Sequence, residues 1–190
     1  MNHFDTTAMN GPRASRRRLL KSLSALALGG ATGLVASPAA ARGLRLGEPA
    51  PPAVLVTLDG TRIASADLLG QVVILTFWAT YCGPCREELP LLSAYAATHA
   101  TDGLRVLGFC IDEPDSVAAV RDVARTLSFP VGFLREDSAP AYGRIWRMPV
   151  SFVIDRAGRL RDNGWARRDS AWTAASLERI VTPLLSEGAP

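Results

Sequence analysis

Val72 to Trp78 reads VVILTFW, seven positions with one hydroxyl and no charge. A run of this length that fails to alternate predicts a strand buried on both faces. After Ala79-Thr80-Tyr81 and Cys82-Gly83-Pro84-Cys85, Leu89, Leu92 and Ala96 recur at i, i+3, i+7. That spacing predicts a helix from Cys85 to about His99, with Pro90 inside it as a kink. Leu104 to Ile111 predicts a second buried strand, ended by Asp112-Glu113-Pro114. A helix to about Leu127 follows, with Val117, Val120, Val123 and Leu127 turned inward. Phe129 to Leu134 predicts a short strand. Arg156-Ala157-Gly158-Arg159 turns the chain into a last strand, Leu160 to Trp165. Asp169 or Ser170 is the expected cap of a C-terminal helix to about Leu185. Upstream, Leu44 to Pro52 is an extended lead-in. Val54 to Leu58, Asp59-Gly60 and Thr61 to Ile63 read as a β-hairpin with a D-G turn. Ser65 to Leu69 reads as a short helical turn ending at Gly70. Strands alternating with helices predict an α/β domain built on a right-handed parallel crossover.

The first forty-one residues have a different character. Ser15-Arg16-Arg17-Arg18-Leu19-Leu20-Lys21 resembles a twin-arginine export signal, with Leu19 where Phe is more usual. A Gly- and Ala-rich apolar run from Leu23 to Val35 follows, then an A-x-A site at Ala39-Ala40-Ala41. The expected organisation is a signal peptide over residues 1–41 and one domain over 42–190. An uncleaved anchor is the alternative, although Gly29, Gly30 and Gly33 interrupt the apolar run. The periplasm or the outer face of a bacterial membrane is the expected location.

Charge changes the picture only once the leader is set aside. The whole chain has 21 basic and 18 acidic residues. Five of the basic residues and Asp5 lie before Arg42, which leaves 16 basic and 17 acidic residues, near neutrality. Nucleic acid and anionic membrane are therefore not expected partners of the domain. Lys21 is the only lysine, so Schiff-base chemistry is excluded from residues 42–190.

A C-x-x-C between a buried strand and a helix reads as a thioredoxin-like redox motif. Cys82 at the helix N-terminus would be the attacking thiolate, stabilised by unpaired N–H groups and the macrodipole. Cys85, one turn later, would resolve the mixed disulfide. A structural disulfide is the competing reading for an exported chain. A zinc site would need a second ligand pair, which neither His3 nor His99 offers, and haem attachment would need His where Arg86 stands. No cofactor or metal is expected. Cys110 reads as a small buried hydrophobe, with a resolving role as the alternative. Glu88 falls one turn after Cys85, where burial would raise its pKa and suit it to proton exchange. A solvated first-turn acid is the other reading of Glu88, and the expected one for Glu87.

FWATYCGPCREELPLL, with the segment from Leu46 to the C-terminus, resembles the TlpA/ResA-like thiol–disulfide oxidoreductases of the thioredoxin superfamily. The resemblance implies a thioredoxin-like fold: a central mixed sheet flanked by helices, with an N-terminal β-hairpin extension. It implies that Trp146 to Asp155 is the cis-proline strand, placing Pro149 beside the cysteines, and that Glu88 is the group's active-site glutamate. Thr76 stands where thioredoxin has a buried Asp, and Tyr81 stands where most relatives have Trp. The implied activity is reduction of client disulfides, with apocytochrome c or copper-site cysteines as clients. The implied electron donor is a membrane thiol transporter of the CcdA/DsbD kind, and a monomer is the expected state. The catalytic set expected is Cys82, Cys85, Glu88 and Pro149. A disulfide-donating oxidase of the DsbA kind, a peroxiredoxin-type peroxidase and a non-enzymatic copper-carrying module remain as rivals. The peroxidase pattern Pro-x-x-x-Thr-x-x-Cys is not met, because Thr80 lies two residues before Cys82.

Overall fold

A computed structural model describes residues 43–188. The expected signal peptide lies outside these described residues. Five strands form the central sheet: β3 (Val72–Trp78), β4 (Leu104–Cys110), β5 (Val131–Phe133), β6 (Val150–Ile154) and β7 (Leu160–Asn163). Their order is β5-β4-β3-β6-β7, with β3, β4 and β5 parallel and β6 and β7 antiparallel. The sheet is therefore mixed, as the thioredoxin-like resemblance implies.

All seven residues of β3 are buried because both faces are covered. Val72, Ile74 and Trp78 enter a cluster with Leu89, Leu92, Val120, Leu177 and Leu184 from the helical layer. Val73, Leu75 and Phe77 alternate into a second cluster with Leu55, Phe109, Tyr142, Phe152 and Leu160. The period of two across one strand thus feeds two cores. In the second, Phe77 stacks on Phe109 at 5.0 Å and meets Phe152 edge-on at 5.9 Å. Each such pair adds about 1 kcal/mol beyond burial.

The helical layer comprises α1 (Gly83–Thr98), α2 (Val117–Ala124), α3 (Ala174–Ile180) and α4 (Thr182–Ser186). Pro90 lies within α1, and the helix continues through it to a C-cap at His99. The α2 region is shorter than its apolar period suggests. A 3-10 turn, Pro114–Ser116, precedes it, and of its expected inward residues only Val120 is fully buried. The C-terminal helix is corrected in two ways. Thr173, not Asp169 or Ser170, is the cap, in a reciprocal capping box with Ser176. Pro183, which lacks an N–H, lies at the start of a separate helical segment, so the run to Leu185 is broken.

The hairpin pairs β1 (Val54–Val56) with β2 (Arg62–Ala64) and packs over the second core. Its loop is longer than the two-residue D-G turn expected: Thr57 N–H donates to Thr61 O at 2.9 Å, and Asp59 accepts from Thr61 N–H at 3.1 Å. Gly132 lets the hairpin approach, because a Cβ there would lie 1.9 Å from the Val56 carbonyl oxygen. The last strand also stops earlier than expected, at Asn163, where a 3-10 turn over Gly164–Ala166 begins. At the opposite end of the sheet from Cys82, Arg156 donates to Gly70 O, Asp102 O, Leu185 O and Glu187 O at 2.8–3.1 Å. Among the described residues no helix is long and apolar enough to cross a membrane.

Candidate active site

β3 ends at Trp78, and four residues later the chain reaches Cys82, the N-cap of α1. Cys82 and Cys85 form a disulfide, and Cys82 Sγ accepts the Cys85 N–H at 3.2 Å. Pro84 occupies the first turn, where a missing N–H breaks no helical bond. Cys85 is fully buried, whereas Cys82 retains 9% exposure and Gly83 and Pro84 are open to solvent. An incoming sulfur therefore meets Cys82 before Cys85.

β6 runs antiparallel to β3 with Val150 opposite Phe77, so the residues preceding Val150 arrive at the end of β3 that carries the cysteines. The Met148–Pro149 peptide bond is cis, and Met148 packs on the cluster containing Cys82 and Cys85. Deeper along the same pair, Ser151 Oγ donates to Thr76 Oγ1 at 3.0 Å, with both residues fully buried. The position that is Asp in thioredoxin is here half of a neutral hydroxyl pair.

Glu88 is 4% exposed, one turn beyond Cys85 on the same face of α1. Burial pushes its carboxyl up to about 7, against smaller opposing effects from the Trp172 N–H and the Arg167 charge. The Trp172 N–H donates to Glu88 Oε2 at 2.6 Å. Arg167 lies with its guanidinium 4.0 Å from the Trp172 ring centre, donates to Ser170 O at 2.8 Å and faces Asp162 at 3.4 Å. Glu87 is exposed, as expected. Trp172 and Arg167 carry no spacing signal, because they reach Glu88 only through the fold, as Asp162 reaches Arg167.

Asp112, which the sequence marks only as a strand end, braces the loop before Cys82. Its carboxylate accepts the Thr80 N–H at 2.9 Å, the Thr80 hydroxyl, and the Cys110 thiol at 3.2 Å. Cys110 is the last residue of β4, fully buried beside Trp78 in register. Burial pushes its thiol up to about 12, so it is a poor nucleophile.

The rim of the site is aromatic as well as basic. Tyr81 is 70% exposed and Trp146 is 72% exposed, the latter stacked on Trp165 at 5.5 Å. Arg86 and Arg144 are exposed. Arg147 differs: its Nη2 donates to the carbonyls of Gly164, Trp165 and Arg167, so it ties the cis-proline loop to the segment after β7. His99 stands far along α1, its Nδ1 2.8 Å from Asp102 Oδ2. Among the described residues no cluster of His, Cys, Asp or Glu could hold a metal ion.

The sequence model described as the AhpC/TSA family matches residues 46–163, more than half of the chain. The chain belongs to the AhpC/TSA family. Among its relatives, the thiol-disulfide oxidoreductase ResA of Bacillus thuringiensis (strain Al Hakam) is 30% identical over 119 residues. That match covers 62% of this chain and 68% of the relative. The thioredoxin-like protein YneN of Bacillus subtilis (strain 168) is 32% identical, over 63% of this chain and 71% of its own. A crystal structure of a thiol:disulfide interchange protein of the thioredoxin family from Chlorobium tepidum TLS superposes with a TM-score of 0.64. Its identity is 30%, covering 76% of this chain and all of that one. Within the family this chain is thus a thioredoxin-like thiol–disulfide oxidoreductase, as the resemblance to the ResA group implied.

Proposed function

We propose that this oxidoreductase works outside the cytoplasm as a reductant of client-protein disulfides. The Cys82 thiolate attacks the client disulfide, forming a Cys82–client mixed disulfide and releasing the other client sulfur as a thiolate. Cys85, deprotonated for the purpose, attacks Cys82 Sγ, which restores the Cys82–Cys85 disulfide and frees the second client thiolate. Glu88 accepts the Cys85 proton, and Pro149 offers an edge of backbone at Met148 to an extended client. The oxidised enzyme then needs two electrons, for which a membrane thiol transporter of the CcdA/DsbD kind is the fitting donor. Apocytochrome c cysteines and copper-site cysteines are the client classes.

The observation that carries the reading is the buried Glu88 carboxyl, one turn behind a fully buried resolving cysteine. A group ionising near neutrality can take and return a proton there at little cost. The Gly83-Pro84 dipeptide supports the reducing direction. The test is the reduction potential of the Cys82–Cys85 couple. A value near about −270 mV supports a reductant, and one near about −120 mV reverses the direction of electron flow. Replacing Cys85 by Ser should trap clients on Cys82 from a periplasmic extract, and failure to trap any would remove Cys82 as the attacking sulfur. The twin-arginine leader supports export, and fractionation of cells expressing the full chain tests it.

A further inference from the structure

The segment between β7 and α3 does more than close the fold. Arg167 is well buried, yet its Nε and Nη1 have no hydrogen-bond partner, and neither does Asp162 Oδ2 opposite. A cation in such a place, with only part of its donor set used, costs stability unless nearby charge compensates. The compensating groups are two carboxyls from different elements: Asp162 on β7 and Glu88 on α1. Trp172 links Arg167 to Glu88: its ring stacks under the guanidinium at 4.0 Å, and its backbone N–H donates to Glu88 at 2.6 Å. The guanidinium thus packs on the residue whose backbone N–H Glu88 accepts, and its charge favours the carboxylate.

We propose that Arg167, stacked on Trp172 and paired with Asp162, is a positioning residue that fixes the proton affinity of Glu88. The inference deepens the reading of Glu88 as the proton carrier and rests on it for its bearing on catalysis. Facing Glu88 on its own helix is Cys85, whereas Glu87 points to solvent. From the C-terminal segment come Trp172 N–H and Arg167. Behind Arg167 lie Asp162, Arg147 on the cis-proline loop and Arg179 on α3. Arg147 and Arg179 oppose the charge on Arg167, whereas Asp162 and Glu88 favour it. Asp162 therefore shares the cation with Glu88, and the two carboxyls compete for one guanidinium.

Competition gives opposite signs for two variants. Arg167→Gln removes the cation, so Glu88 should hold its proton to higher pH, by about one pH unit, a tenfold change in its ionisation constant. Asp162→Asn leaves the cation to Glu88 alone, so the midpoint should fall by a similar amount. The readout is the side-chain carboxyl ¹³C shift of glutamate-labelled protein, titrated in the oxidised form, where neither cysteine ionises. Glu88→Gln assigns the resonance. General loosening would admit water and lower the midpoint, so a rise in Arg167→Gln cannot come from damage. If that variant does not fold, Arg167→Met serves in its place, with the same rise expected. For Asp162→Asn the near-ultraviolet circular dichroism must match wild type. A midpoint that stays or falls in the Arg167 variant, or stays or rises in folded Asp162→Asn, overturns the proposal. The pH profile of mixed-disulfide release answers a separate question. If it ignores midpoints that have moved as expected, the role of Arg167 stands and Glu88 leaves the exchange mechanism.

Discussion

Glu88→Gln should change how stability depends on pH before it changes anything else. In the folded protein the carboxyl ionises near 7, against an ordinary value of 4.5, because burial disfavours the anion. A folded group with a raised value retains its proton while the unfolded chain has lost it. The stability that this group contributes is therefore greatest below pH 4.5, falls as pH climbs, and levels off above 7. At about 1.36 kcal/mol per pH unit, the span from 4.5 to about 7 amounts to about 3 kcal/mol. Gln keeps an oxygen for the Trp172 N–H but cannot ionise. Urea unfolding of the oxidised protein at about pH 4 and about pH 8.5, in both proteins, isolates this contribution, since other titrating groups cancel. The wild type should lose about 3 kcal/mol more than the variant over that range. Parallel curves would refute the claim that burial holds the proton on Glu88, and with it the physical basis for proton transfer there.

Three further outcomes follow from other contacts. Asp112→Ala strips Thr80 of both its partners and should slow disulfide exchange about tenfold, an effect of about 1.4 kcal/mol. Asp112→Asn, which keeps an acceptor for the Thr80 N–H, should recover most of the rate and the Cys82 thiolate absorbance; equal rates in both variants would remove the brace from the account. Gly132→Ala puts a methyl against the Val56 carbonyl and should cost about 3 kcal/mol, read by urea unfolding, with the disulfide's potential unchanged. Cys110, fully buried and with its thiol pushed up to about 12, should resist alkylation in the native oxidised protein at pH 8 and react only after denaturation. Mass spectrometry detects the adduct, and labelling of the folded chain would contradict its burial.

The elements that sequence revealed best are those whose cause is local. Val72–Trp78 has the predicted bounds because every position is buried, with the hydroxyl of Thr76 paired to Ser151. The Cys82 cap, the α1 face of Leu89, Leu92 and Ala96, and the hairpin all follow from spacing within one element. Where local signals competed, the nearer rule misled. Asp169 and Ser170 are good caps in the abstract, but Arg167 takes the Ser170 carbonyl and the helix starts at Thr173. The apolar positions of α2 extend past its end because Val117, Val123 and Leu127 lie at the margin of the layer, half-buried. Asp112 reads as a strand terminator because two of its three donors are on Thr80, 32 residues away. Arg167 and Trp172 were invisible for the same reason.

The 84 residues that separate Glu88 from the Trp172 N–H impose an order on synthesis. A ribosome delivers the cysteine pair and its helix well before the segment that holds the carboxyl. Until that segment emerges, a nascent chain has its cysteine pair without the backbone N–H that Glu88 accepts in the folded protein. The surroundings of Glu88 are therefore completed last, by the stretch before α3, around a helix that was made much earlier.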